Sequence, residues 1–211
     1  MVHPGGGVTR PSTRAAAGVD DRLLPGEVSR PEPATPRSAR IGQIVEAARR
    51  LLEDEGPDSL TMRRLADELG MQAPSLYKHF PGKAGVELAL IEDALSDIGE
   101  VSHQAIHRPG SEGRLMALLD AYRRHGVSHP NLYRLATGGP LVRDRLPAGL
   151  EEWAGNPWFV VTGDPSLSQA LWSFAHGMVI LELDGRYPPD SDLDATWRSG
   201  AVAFDRVVGA G

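Results

Sequence analysis

The chain has no cysteine. That removes disulfides, thiolate metal sites and thiol redox sensing from the functions open to it. Lysine is almost absent too: Lys78 and Lys83 are the only two, and arginine supplies every other permanent cation. No apolar run reaches the roughly 18 residues that a membrane-spanning helix needs. The first residues show no apolar core of a secretion signal, so a cytoplasmic protein without membrane contact is expected. Alternating strand patterns are missing. So are a Gly-x-Ser-x-Gly elbow, a P-loop and a nucleotide-binding glycine fingerprint. The expectation is a protein that is not an enzyme and carries no cofactor.

Charge is uneven. The net charge is −6 over 211 residues. Residues 37–83 carry 8 basic and 7 acidic side chains, whereas residues 84–211 carry 10 basic and 17 acidic. Any affinity for a polyanion must come from a local patch in the first of these stretches.

What is present is helical periodicity. Residues 1–36 hold Pro4, Pro11, Pro25, Pro31, Pro33, Pro36 and Gly5-Gly6-Gly7 with no apolar period. They read as a flexible, solvated tail, with a DNA-touching arm as the other reading. Ile41, Ile44, Val45, Ala48, Leu51 and Leu52 then mark a helix that Gly56-Pro57 ends. Thr61 can cap a second helix, with Leu60 and Leu65 as its hydrophobic staple, and Gly70 closes it. Pro74 suits the first turn of a third. Pro81-Gly82 precedes a long helix from about Lys83 to Ile106. Further helices are expected near Leu115–Tyr122, Pro130–Ala136, Val142–Ala154, Pro165–Leu181 and Leu193–Val208. The fold class is all-α: a three-helix head over 37–83 and a larger helical body over 84–211.

Two short helices joined by a turn containing glycine make a helix-turn-helix, whose second helix enters the DNA major groove. Tyr77, Lys78 and His79 follow one another at the end of that helix, a cluster suited to phosphates and base edges. Arg63 can present a guanidinium fork to a guanine or rest on a phosphate. Thr61 and Ser75 offer hydroxyls to phosphates, and Lys83 stands at a helix start where anions are favoured. For Tyr77 and His79, packing between helices is the competing role.

The set Ile44-Val45-Glu46-Ala47-Ala48, Gly56, Leu60-Thr61-Met62-Arg63-Arg64-Leu65-Ala66, Leu69-Gly70 and Pro74-Ser75-Leu76-Tyr77-Lys78-His79-Phe80 with Lys83 resembles the tetracycline-repressor (TetR-like) family of bacterial transcription regulators. It covers about residues 40–90. The resemblance implies a homodimer with an operator-reading head and a body that senses a small molecule. It also places Gln72 and Ala73 at the DNA. Gln72 stands where the family has a better cap, Ala73 where a polar or basic side chain often reaches DNA, and Pro81-Gly82 where a polar or basic pair is common. In the body, Trp172-Ser173-Phe174-Ala175-His176-Gly177 is similar to the Trp-x-x-x-His-Gly signature of one subgroup.

For a ligand, the candidates are Trp153, Trp172, His176 and Met178, with Trp158 and Phe174 beside them. Ordinary core or dimer interface is the alternative for each. His103 and His107 are four apart, as are His125 and His129. That spacing could serve zinc, but no cysteine or carboxylate completes a recognised motif, and no metal is expected. The reading is a DNA-binding regulator: a ligand-released repressor that holds a palindromic operator as a dimer. Its rival is a small-molecule- or metal-binding protein whose helix-turn-helix is vestigial.

Overall fold

The computed structural model describes residues 23–32 and 37–209, and among these all regular structure is helical. In order come α1 (Ala39–Glu55), α2 (Met62–Glu68), α3 (Ala73–Leu76), α4 (Lys83–His107), α5 (Gly113–Ser128), α6 (Pro130–Thr137), α7 (Leu150–Thr162), α8 (Pro165–Leu183) and α9 (Leu193–Val208). A single 3-10 turn, Arg143–Arg145, precedes α7.

Local chemistry sets the ends of the head helices. Ser38 accepts the Ile41 N–H and caps α1; Thr61 accepts the Arg64 N–H at 3.1 Å and caps α2. Gly70 turns the chain at φ 61°, a conformation that costs glycine little. Gln72 makes no side-chain cap, and α3 lasts one turn. Leu76 and Phe80 anchor that turn beneath Ile44, Leu52, Leu60 and Leu65.

Two helices cross from head to body. The first half of α4 puts Val86, Ala89, Leu90 and Ala94 into the head core, and its second half puts Ile98 and Ile106 into the body core. From α6, Leu132 is fully buried in the head core, while its neighbour Tyr133 belongs to the body core. The body core gathers Leu118, Leu119, Leu171, Ala175, Val179 and Trp197 from α5, α8 and α9. Close crossings explain two glycines. A Cβ on Gly99 would lie 2.4 Å from the Trp153 ring, and one on Gly200 would lie 2.1 Å from the ring of Phe174.

Two expectations need correction. The helix expected over 142–154 starts at Leu150 and runs on to Thr162. Pro147 and the left-handed Gly149 set its start, and Pro157 lies inside it. A proline has no N–H to give the carbonyl four residues earlier. That carbonyl, on Trp153, is taken instead by His103 Nε2 at 3.0 Å. Trp158, one residue beyond the proline, is buried, so tertiary packing carries the helix through the break. The second correction concerns the tail. Residues 23–32 lie against α4 and α7: Val28 N–H donates to Asn156 Oδ1, and Val28 packs against the buried cluster of Leu150, Trp153 and Ala154. Residues 1–22 and 33–36 of that expected tail lie outside the described residues.

Candidate DNA-binding head and effector cavity

On the head, Thr61, Arg63, Gln72, Tyr77, Lys78, His79 and Lys83 are exposed, and Ala73 and Ser75 are half-buried. Tyr77 leaves 52% of its surface in solvent, although a phenol ring gains from burial. Packing between helices therefore does not account for Tyr77. Arg64 is held by Glu55 and Glu68 on the same unit. Arg63 and Lys78 have no ion-pair partner among the described residues, so their charges face outward uncompensated. Lys83 is partly engaged: Nζ donates to the Pro57 carbonyl at 3.2 Å and lies 3.5 Å from Glu87.

Ion pairs tie the head to α4. Arg37 bonds Asp93 and also Glu92, the latter at 2.7 Å, and Arg49 pairs with Asp97 at 2.6 Å. Burial raises the Asp93 carboxyl above its usual value, against the pull of Arg37. A further tie was not foreseen from sequence. Glu53 of α1 accepts the Leu132 N–H at 2.9 Å and the Asn131 N–H at 3.2 Å, so a head side chain caps α6.

At the other end of α6, Ala136 and Thr137 line a cavity of about 480 Å³. Leu95 and Ile98 of α4 form one wall, and the aromatic side chains of Tyr122, Trp158 and Trp172 form others. Ser168 and Gln169 add polar groups. The charged pair at the cavity, Arg143 and Glu151, is closed on itself at 2.8 Å. The lining thus offers flat aromatic faces, neutral hydrogen-bonding groups and no unpaired charge. Burial pushes the Tyr122 phenol up to about 12, so it remains a hydroxyl at any ordinary pH. Its oxygen meets Tyr133 OH at 2.9 Å, and Tyr133 OH meets His176 Nδ1 at 2.8 Å. Burial lowers the His176 pKa, which favours its neutral ring.

Of the four sequence candidates, Trp172 alone lines this cavity. His176 stands behind it, stacked on the Trp172 ring at 5.6 Å. Trp153 is buried beneath His103, its ring stacked at 5.0 Å, and Met178 is core, accepting from Tyr187 OH. The carbonyl freed by Pro157 explains why Trp153 faces His103 rather than a ligand. Tyr122, Ser168 and Gln169 were missed; Tyr122 sat in an apolar helix pattern that read as core. A second groove, of about 440 Å³, runs between α5 and α9, but its Arg123 is already bound by Glu182 and Asp194. The histidine pairs have separate partners. His103 and His107 both face Glu27, whereas His125 and His129 contact each other, with rings 4.9 Å apart. Among the described residues no three His, Asp or Glu side chains are placed to hold a metal ion.

Residues 44–90 match the family model for bacterial regulatory proteins of the tetR family, and residues 115–204 match the tetracyclin repressor-like C-terminal domain. The chain belongs to the TetR family. An uncharacterised helix-turn-helix-type transcriptional regulator of Mycobacterium tuberculosis is 31% identical over 173 residues, covering 78% of this chain and 79% of that protein. The transcriptional repressor DrrR1 of Streptomyces coeruleorubidus is 30% identical, covering 98% of this chain and 80% of its own. A solved structure described as a possible TetR family regulator of Streptomyces coelicolor shares the fold, with a TM-score of 0.60 at 18% identity over 81% of this chain and 98% of that one. The protein is thus a DNA-binding transcription regulator of a family of regulators, not of enzymes. No helix among the described residues is long and apolar enough to cross a membrane.

Proposed function

We propose that this TetR-family protein is a ligand-released repressor that holds a palindromic operator as a homodimer in the cytoplasm. Arg63 and Lys78 supply the uncompensated charge of the head. Thr61, Ser75, Tyr77, His79 and Lys83 meet phosphates, with Gln72 and Ala73 at the groove. The observation that carries the release is the placement of α6. One end of it is capped by Glu53 and buried through Leu132 in the head core; the other end lines the cavity through Ala136 and Thr137. An effector that binds better when this end is displaced must, by linkage, weaken the arrangement of the head that holds the operator.

The cavity's chemistry supports an effector that is flat, mostly apolar and uncharged within the pocket. It would slide between Trp158 and Trp172 and bond to Ser168, Gln169 or the Tyr122 hydroxyl. The exposed apolar side chains Leu181 of α8 and Val202 and Val207 of α9 support an isologous dimer face on these helices. The test is a shift assay on the protein's own upstream DNA, with and without planar aromatic compounds of neutral charge. Binding that such compounds release supports the reading. No binding to that DNA at low salt would sink it.

A further inference from the structure

Glu27 reaches α4 from a segment outside the helices, and its side chain is only 2% exposed. Oε1 lies 2.6 Å from His103 Nδ1, and both carboxylate oxygens lie 2.9 Å from His107 Nε2. Oε2 also accepts the Leu24 N–H at 2.7 Å. Further along, Asn156 of α7 bonds both Val28 N–H and the Gly26 carbonyl, each at 3.0 Å. Arg30 covers the Trp153 ring, 4.9 Å from its centroid, and pairs with Glu100 of α4. Residues 24–30 are therefore held by side chains of both helices.

The hydrogen bonds fix a proton count. His103 Nε2 faces the Trp153 carbonyl, which only accepts, so Nε2 carries a hydrogen. Nδ1 faces a carboxylate oxygen, and that contact needs a hydrogen as well. Whether the imidazole or the carboxyl holds it, the pair binds one proton more than a neutral imidazole beside a carboxylate. His107 needs no extra proton, because one Nε2–H serves both oxygens of Glu27.

We propose that residues 23–32 form a proton-locked strap, docked on α4 and α7 while the Glu27–His103 pair holds its extra proton and released when that proton is lost. The sign follows from the undocked state. There Glu27 is a solvated carboxylate, and a free imidazole loses its proton near pH 6.5. Above that range docking must take up a proton, so alkali opposes it, about tenfold per pH unit for one linked proton. Acid does not open the strap early. Burial raises the Glu27 carboxyl, but the Leu24 N–H and the two imidazoles outweigh it and hold it below the usual value. The stabilisation from Glu27 is therefore present above the ordinary carboxylate range and fades only as pH falls beneath it.

The other charges nearby have partners or solvent of their own. Arg30 and Glu100 pair with each other, Arg114 of α5 donates to the Ile106 carbonyl, and Glu152 beside Trp153 is exposed. Residues 33–36 separate the strap from Arg37, which pairs with α4 just before Ser38 caps α1. An effect on operator affinity follows only on the DNA-binding reading; the lock itself does not depend on it.

The absence of cysteine gives a clean probe. Ser29→Cys puts a single thiol on the exposed side of the strap, and a fluorophore there reports strap mobility by anisotropy in the full chain. From pH 6 to pH 9 the anisotropy should fall in one step as the strap is freed. Glu27→Gln should give low anisotropy at pH 6 and no step, with helix content unchanged by circular dichroism. His103→Phe, which keeps a ring on Trp153, is the second variant should the first unfold. An anisotropy independent of pH in the parent chain would overturn the lock, as would a Glu27→Gln chain with the parent's midpoint. A step that disappears on adding EDTA would overturn it too, because a metal ion and not a proton would then fill the contact. Operator binding is not the readout, so a chain that binds no DNA would count against the regulator reading alone.

Discussion

The carboxylate of Glu53 on α1 accepts the backbone N–H of Leu132 on α6 at 2.9 Å. A helix that touches the cavity at one end is thus capped at the other by the head. With α6 only 8 residues long, displacement of either end is carried to the other. Glu53→Ala should cost about 0.5–2 kcal/mol, as loss of a helix cap does. It should also raise the effector concentration needed for release. Denaturant unfolding measures the first effect and effector-dependent shift assays the second. A destabilised variant that still releases DNA at the parent's effector concentration would remove Glu53 from the coupling.

Arg63 has no ion-pair partner among the described residues, whereas its neighbour Arg64 is bound by Glu55 and Glu68. Arg63→Ala should therefore relax discrimination between matched and mismatched operators by about 1–3 kcal/mol. Tyr77→Phe, His79→Ala and Lys83→Ala should weaken both kinds of DNA alike, and Lys83→Ala should also lower the salt slope of binding by about one. Because Lys83 also donates to the Pro57 carbonyl, a small loss of head stability should accompany that last change. Equal losses for all four variants on matched and mismatched sites would end the base-reading role of Arg63.

His125 is buried, and desolvation, with His129 adding to it, lowers its pKa from 6.5 to about 4. A group whose folded pKa is depressed binds more protons when unfolded, so stability falls as pH falls through the gap. Between about pH 6.5 and pH 4 this one group should lower unfolding free energy by on the order of 1.4 kcal/mol per pH unit. His125→Gln should flatten that stretch of the stability–pH curve. A parallel curve for the variant would show that other groups cause the acid loss. The strap responds in the opposite direction, since alkali releases it, so the two effects separate by pH.

Most helices were legible because their signals are local. Ser38 and Thr61 cap where their side chains suit a cap, Gly70 closes α2, and the apolar spacing of Ile41 to Leu52 matches the buried face of α1 in all but Ile41, which stays partly exposed. What escaped was set by distant partners. Pro157 reads as a break, yet α7 passes through it because Trp158 is buried on the far side. Residues 23–32 read as tail because proline and glycine mask Leu24, Glu27 and Val28, whose partners lie on α4 and α7. His103 and His107 were seen to share a face, but nothing in their spacing points to Glu27, 76 and 80 residues away. The four ligand candidates were chosen for aromatic and mixed character, which a core also favours, and Trp153 and Met178 proved to be core.

Leu181, Val202 and Val207 leave 41%, 50% and 58% of their surface exposed on α8 and α9. On the dimer reading a partner copy covers them. Phe204 is a poor test position, because its ring packs on Phe174 at 5.7 Å and a charge there would disturb the core of the single chain. Val202→Glu touches the exposed face and leaves the core of the single chain intact, so helix content should be unchanged. It should shift sedimentation from dimer to monomer and abolish palindrome binding. A Val202→Glu dimer that still binds the palindrome would place the interface elsewhere.

Trp172 and His176 share a face of α8, but they meet different surroundings. Trp172 lines the cavity and is 43% exposed, while His176 holds the Tyr133 hydroxyl behind it. Trp172→Ala should therefore enlarge the cavity with little effect on stability, leave operator affinity nearly unchanged and abolish release by the effector. His176→Ala should leave the buried Tyr133 hydroxyl with Tyr122 as its remaining partner, and the lost bond costs about 1–3 kcal/mol. It should weaken release only through the Tyr122 hydroxyl at the cavity wall. Trp197→Ala, which removes a fully buried side chain that does not line this cavity, should cost about 3–5 kcal/mol and serves as the core control. Thermal melts beside shift assays separate the three. A Trp172→Ala chain released as readily as the parent would show that the effector does not occupy this cavity.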